Sequence, residues 1–272
     1  MNQLKAIYII WYRDILRFWR NRIRLVSSLA MPFLWLVMFG SGIKGSISFG
    51  AGSFSGADFD YVQFLFPGVI GMTILFTSIF SAISIVTDRE FGFMKEILVA
   101  PVSRTAVALG KIFGGSTIAL FQGMLMMVLA PLVGVKLSVG LVLGLLPVML
   151  LMAFSLNCLG ILVASRIKST EAFQMVMQFI MMPMFFLSGS LFPLKNLPGW
   201  MSFLSKINPA SYGIDSLRQV AFKYLEVPEQ ISQFFKIELF GETVSLLNSL
   251  LIVTAFGLVM LVLAIFFFRR SN

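Results

Sequence analysis

Six stretches without a single Lys, Arg, Asp or Glu, at residues 25–43, 61–87, 112–135, 137–165, 172–194 and 243–268, occupy more than half of this 272-residue chain. About 20 consecutive apolar residues suffice for a helix to cross a bilayer. In hydrocarbon every backbone N–H and C=O must find a partner within the protein, so apolar runs of this length without alternation form helices rather than strands. The chain therefore reads as an all-α integral membrane protein with six transmembrane helices. Its 12% of charged residues, against roughly 25% in soluble domains, excludes a soluble fold.

The remaining charges orient the bundle. With a cytoplasmic N-terminus, the inner segments are residues 1–24, 88–111, 166–171 and 269–272; they hold 14 of the 21 Lys+Arg and five of the 12 Asp+Glu. Seven of each sign are left outside, so the whole net charge of +9 lies on the inner face, as the positive-inside bias requires. Both termini then face the cytoplasm. Because the basic residues hug the span ends, they do not form a nucleic-acid surface.

Chemistry is excluded by what is missing. The chain has no His and one Cys, Cys158 in the fourth span, so it lacks His-based triads, a disulfide framework and a paired metal ligand. No acid lies within the six runs, which removes the carboxylate pairs of intramembrane hydrolysis and the ionisable group of a proton-coupled carrier. No catalytic site is expected. A P-loop is absent as well: Gly110 and Lys111 are followed by Ile112, and Thr105 stands where the first glycine would be. Any ATP and Mg must sit on a separate subunit.

Residues 1–24 carry Leu4, Ile7, Tyr8, Trp11, Ile15, Phe18 and Trp19 at helical spacing, with Arg13, Arg17, Arg20 and Arg24 on another stripe. This describes an amphipathic helix in the inner headgroup layer. Anchoring to the membrane surface and binding a partner are compatible roles for it.

Between spans five and six, the segment from Phe192 on, cut by Pro193, Pro198 and Pro209, holds within residues 195–222 two apolar stretches too short to cross. Such pieces describe a re-entrant hairpin, or alternatively an amphipathic loop on the outer leaflet. Asp215 is expected near the outer surface, bonded locally, with Arg218 one turn on. Residues 223–242 form an external cap. Within the spans, Gln174 and Gln178 share a face with Met181 and Phe185; they serve either as glue between helices or as contacts to a substrate. Gly110 to Gly114 and Gly140 to Gly144 match the GxxxG spacing, a weak signal in so apolar a chain.

The most telling segment is the insert at residues 88–101, DREFGFMKEILVAP. Asp88, Arg89, Glu90, Lys95 and Glu96 surround an apolar stripe of Phe91, Met94 and Leu98, with Phe93 and Ile97 beside it, and Pro101 ends the helix. Isolated helices below about 12 to 15 residues are marginal, so this one is expected to dock, its stripe in a groove and its charges at the rim.

The motif DRExGxMKxxLVxPxSR at residues 88–104, and LSGxLFPLxxLPxWMxxLxxINPxxYxIDxLR at residues 187–218, together resemble the permeases of ABC-2 type exporters, the drug-resistance (daunorubicin-type) branch above all, with polysaccharide and lipopolysaccharide exporters as cousins. The resemblance spans nearly the whole length. It implies that the segment Asp88, Arg89, Glu90, Phe91, Gly92, Phe93, Met94, Lys95, Glu96, Ile97, Leu98 to Pro101 is the coupling helix seated in an ATPase subunit. Trp11, Arg13, Asp14, Arg17 and Arg20 then belong to the interfacial helix beside it, and Pro193, Pro198, Trp200, Asn208, Pro209, Tyr212, Asp215 and Arg218 to the outer re-entrant gate. A substrate path past Gln174, Gln178, Met181 and Phe185 would run between two permeases served by two ATPases in a prokaryotic plasma membrane. The expected function is export of a drug, lipid or lipid-linked glycan; the alternative is a secondary transporter or channel without an ATPase.

Overall fold

A computed structural model describes residues 3–50, 61–93, 102–195, 197–225, 227, 232, 235–239 and 242–270. Its helices are α1 (Gln3–Arg20), α2 (Arg22–Gly50), α3 (Tyr61–Ser81), α4 (Ile83–Glu90), α5 (Arg104–Leu129), α6 (Val139–Ala164), α7 (Thr170–Phe186), α8 (Gly199–Ile207), α9 (Pro209–Tyr224) and α10 (Leu246–Arg270), with a 3-10 turn at Ala130–Val133 after α5. A short antiparallel ribbon, β1 (Glu238–Leu239) with β2 (Glu242–Thr243), is a small departure from an all-helical chain. It lies in the expected external cap and moves the start of the last helix from residue 243 to Leu246.

Among the described residues, four helical stretches are long and apolar enough to cross a membrane: Phe64–Glu90, Arg104–Val133, Val139–Ala164 and Leu246–Arg270. These coincide with expected spans two, three, four and six. The expected first span falls in α2, whose apolar part Leu25–Met38 is shorter. The expected fifth span, 172–194, is helical only as far as Phe186; a turn follows with Gly189 at φ 74°.

Local chemistry starts and bends these helices. Ser103, Ser138, Ser169 and Asn208 cap α5, α6, α7 and α9, each side-chain oxygen accepting from a backbone N–H two or three residues on. Hydroxyls inside the spans are satisfied by the preceding turn: Thr73 donates to the Val69 carbonyl and Ser116 to that of Ile112. The helix of span two breaks at Ala82, between α3 and α4. There Asn157 Nδ2 of α6 donates to the Ser78 carbonyl at 3.2 Å and to Ser81 Oγ at 2.7 Å, entering the helix ladder at the break. Gly160 allows this approach, since a Cβ there would lie 2.9 Å from the Ile79 carbonyl oxygen.

α3 is the central element, its Phe64, Phe66, Ile70, Ile74, Leu75 and Ile79 fully buried against α2, α5, α6 and α9. α10 lies at the edge and exposes Leu247, Leu251, Leu258, Val259 and Val262. Leucine and valine facing outward along a helix this apolar are what a lipid solvent selects.

α1 differs from expectation. Gln3 meets Ser103, Trp11 meets Thr117 and Trp19 meets Phe121, so α1 runs alongside α5 in the same direction. The buried face is Ala6, Ile10, Asp14 and Phe18, while Leu4, Tyr8 and Trp19 of the expected apolar stripe are exposed. Gly110 and Gly114 seat it: a Cβ on Gly110 would lie 2.8 Å from Cβ of Ile10, and one on Gly114 3.2 Å from Cβ of Asp14. The second GxxxG pair, Gly140 and Gly144, seats the ring of Tyr224.

Candidate functional site

Five charged side chains from α1, α4 and α5 converge at one end of the bundle. Asp88, fully buried, accepts from Arg13 Nη2 at 2.8 Å, Arg17 Nη1 at 3.1 Å and Lys111 Nζ at 2.9 Å. Lys111, itself buried, also donates to Asp14 Oδ1 at 3.1 Å and Ser84 Oγ at 3.0 Å, which uses all three of its ammonium protons. Burying charge is tolerated only when each group is paired. Here three cations meet two carboxylates, and Arg13 Nε is left buried without a partner.

The next two residues clamp the neighbouring helices. Arg89 Nη1 reaches the C-terminus of α6, 2.8 Å from the Ile167 carbonyl and 3.3 Å from those of Ala164 and Ser165. Glu90 Oε2 accepts from the Thr170 N–H at the start of α7, at 3.0 Å. A cation at a helix C-terminus and an anion at a helix N-terminus both agree with the helix dipoles. Asp88, Arg89 and Glu90 thus tie α4 to α1 and α5, to the end of α6 and to the start of α7. This departs from the expected rim position: all three end α4, with Asp88 buried and Arg89 half-buried, while Glu90 stays exposed at its bond to Thr170. The chain leaves α4 through Phe91 and Gly92, whose φ of 82° suits glycine, and Phe91 and Phe93 are exposed. Met94, Lys95, Glu96, Ile97, Leu98 and Pro101 lie outside the described residues.

Of the expected interfacial set, Trp11 donates from Nε1 to Thr117 Oγ1 at 3.0 Å, while Arg20 is exposed. Sequence reasoning counted Lys111 only as an orienting charge; an unbroken apolar run directly after it gave no hint that it is buried. A polar residue at the heart of each of two spans was the available signal for Asn157 and Gln122. Gln122 is bonded to Ser28 of α2 and Thr77 of α3, joining three helices.

The opposite end is built around α9. From Ala210 to Arg218 it is buried against α3, α6 and α10. Its side chains satisfy carbonyls freed where α7 ends: Asn208 Nδ2 donates to Met184 at 2.7 Å, Ser211 Oγ to Leu187 at 2.9 Å, and Arg218 Nη2 to Gly189. Arg218 also stacks on Phe64, 4.2 Å from the ring centre. Asp215 accepts from Gln219 Nε2 at 2.6 Å and Ser249 Oγ at 2.9 Å, and its side chain is buried. Tyr212 donates to the Lys206 carbonyl at 2.6 Å, closing the turn between α8 and α9. Pro209 opens α9 at its first position, Pro198 precedes α8, Pro193 is half-buried in the turn after α7, and Trp200 is exposed.

The four residues of the expected substrate path separate. Met181 and Phe185 belong to the buried stripe of α7 with Phe173 and Met177, and the Phe185 ring meets Phe76 and Trp35. Gln174 and Gln178 face outward beside exposed Met175, Phe179 and Met182. The stripe repeats every four residues, so a face inferred at mixed spacings of three and four drifts off it.

Comparison with known proteins adds the context of this geometry. The profile of the ABC-2 type transporter family matches residues 5–222. The provisionally named transport permease ycf38 of Cyanophora paradoxa is 27% identical over 218 residues, 79% of this chain and 73% of that protein. The inner membrane transport permease YadH of Escherichia coli K12 is 28% identical over 225 residues, 82% of this chain and 85% of its own length. YbhR from the same organism, whose name describes a multidrug ABC transporter permease, is 28% identical over 171 residues, 60% of this chain and 45% of its own.

Proposed function

Since this chain belongs to the ABC-2 type transporter family and is a multi-pass membrane permease subunit of an ABC transporter, we propose that it is the permease of an exporter driven by a separate ATPase subunit. Its cargo is a hydrophobic or amphipathic molecule, a drug, lipid or lipid-linked glycan, taken from the cytoplasm or inner leaflet. The assembly contains two permeases and two ATPases, sits in a prokaryotic inner membrane, and has six spans per permease with both termini cytoplasmic. ATP and Mg reside on the partner.

One observation carries this reading: Asp88, Arg89 and Glu90 fasten the base of the coupling segment to four other helices. An ATPase moving the segment beyond Gly92 would pull on α1, α5, α6 and α7 together, with the break at Ala82 as the hinge below the buried body of α3. The exposed Phe91 and Phe93, together with Met94 and Leu98, supply the apolar contact to the ATPase groove. At the outer end, Asp215 and Arg218 hold α9 as a re-entrant gate. The path runs along the exposed face of α7 that carries Gln174 and Gln178, with Met181 and Phe185 supporting it from behind. A second permease faces this side, beside the exposed Met31, Leu34 and Met38 of α2. YbhR's name supports the drug-export branch.

The test is affinity purification of the chain from its own membranes followed by reconstitution. A P-loop ATPase should accompany it, and the complex should couple ATP hydrolysis to outward movement of cargo. Purification without an ATPase, combined with ATP-independent flux, would make it a channel or secondary carrier instead.

A further inference from the structure

Two cavities of opposite character meet at the elbow between α1 and α2. The first, about 470 Å³, is walled by Phe18, Met31, Phe76, Phe80, Ile83 and Ile118. Four polar residues, Ser27, Ser28, Thr77 and Gln122, also line it, and Gln122 bonds to both Ser28 and Thr77, so the wall offers mainly apolar surface. Its volume falls within the roughly 300–1,000 Å³ of small-molecule sites. The second is an open cleft of about 710 Å³ lined by Arg13, Arg17, Arg20 and Arg22, and among the described residues no carboxylate lines it. Between them a small recess, which also carries Asp14, shares Arg17 with the basic cleft and Phe18 and Ile118 with the apolar cavity.

Charge explains why this arrangement wants an occupant. Arg13 and Arg17 each give one guanidinium nitrogen to Asp88. Arg20 and Arg22 have no carboxylate in ion-pair range among the described residues. The interior cluster already carries one more cation than anions, so the elbow holds uncompensated positive charge beside an apolar space. Arginine prefers planar, bidentate anions such as phosphate, and basic pockets at the cytoplasmic ends of transmembrane helices are where anionic headgroups bind.

We infer that the α1–α2 elbow binds one anionic phospholipid of the inner leaflet, its phosphate on Arg20 and Arg22 and an acyl chain behind Phe18 in the cavity beside Met31. The inference goes beyond transport, although it rests on the cytoplasmic placement of the N-terminus proposed above. The lipid would act as a wedge in the elbow and hold α1 against α5, the position from which Arg13 and Arg17 reach Asp88.

The test counts bound lipid and needs neither transport nor ATP hydrolysis, so its outcome is separable from the exporter assignment. The full chain is placed in nanodiscs of equal phosphatidylglycerol and phosphatidylcholine, and retained lipid is measured by native mass spectrometry. The parent should retain phosphatidylglycerol in preference. Arg20→Gln with Arg22→Gln should bind it about thirtyfold more weakly, because each basic residue near the surface is worth about fivefold. Met31→Trp should fill the cavity and lose retention while keeping all the arginines. The melting temperature of each variant checks that it is folded. Equal retention of the two lipids by the parent, or parent-like phosphatidylglycerol binding in a folded variant of either kind, would overturn the assignment.

Discussion

Asp88→Asn isolates the ion cluster because it changes charge with almost no change in volume. In the parent, Asp88 holds three cations at 2.8 to 3.1 Å with no exposure of its own side chain. Removing one partner of a buried pair typically costs about 3 to 5 kcal/mol. Two compensations place this site at the low end: Lys111 keeps Asp14 at 3.1 Å, and the Arg13 and Arg17 side chains are partly exposed and can turn to solvent. A loss of about 3 kcal/mol is a little over a hundredfold in an equilibrium constant. That loss falls on the docking of α1, since α3, α5 and α6 keep their apolar packing. Hydrogen–deuterium exchange of the α1 amides is the assay, and the expected result is exchange about a hundredfold faster in α1 with α3 and α6 unchanged. Adding Lys111→Met should partly restore protection, because the unpaired ammonium leaves with its partner, and residues in one network couple by about 0.5 to 3 kcal/mol. If α1 in Asp88→Asn were protected as in the parent, or if the double variant lost the sum of the two single losses, the cluster would not be what docks this helix.

Glu90→Lys should leave the complex with its ATPase assembled yet lower cargo moved per ATP hydrolysed, since a cation at the α7 N-terminus removes the bond to Thr170 and opposes the helix dipole by about 1 kcal/mol. Phe91→Ala should instead weaken assembly, by about 1.5 to 3 kcal/mol if the exposed ring is buried in the ATPase groove, read as co-purification yield. Asp215→Ala leaves Gln219 and Ser249 without their shared acceptor and should impair export from a normally assembled complex; full transport in liposomes would remove Asp215 from the gate. In a Cys158→Ser background, an impermeant thiol reagent outside cells should label Asp58→Cys and spare Lys168→Cys, and labelling of the latter would reverse the topology.

The elements that follow from one-dimensional pattern were legible in the chain. Uncharged runs mark helices because hydrocarbon leaves the backbone no other partner; the proline-cut segment after residue 192 yields two short helices. Segment charge fixed which residues share a side of the bundle, and the insert at 88–101 stood out because a short charged helix cannot persist unsupported. What stayed hidden depends on distance across the fold. Nothing in the run DRE says that Asp88 turns to Arg13, Arg17 and Lys111, Arg89 to the end of α6, and Glu90 to the start of α7, because those partners come from segments 71 to 80 residues away or, for Lys111, 23. The same holds for α1: its two stripes predict an amphipathic helix, yet the glycine pair on α5 seats a different face, that of Ala6, Ile10, Asp14 and Phe18. Helix periodicity is a property of the chain alone, whereas the choice of face, the pairing of buried charge and the fate of freed carbonyls depend on which helix lies alongside, and only the assembled bundle supplies that neighbour.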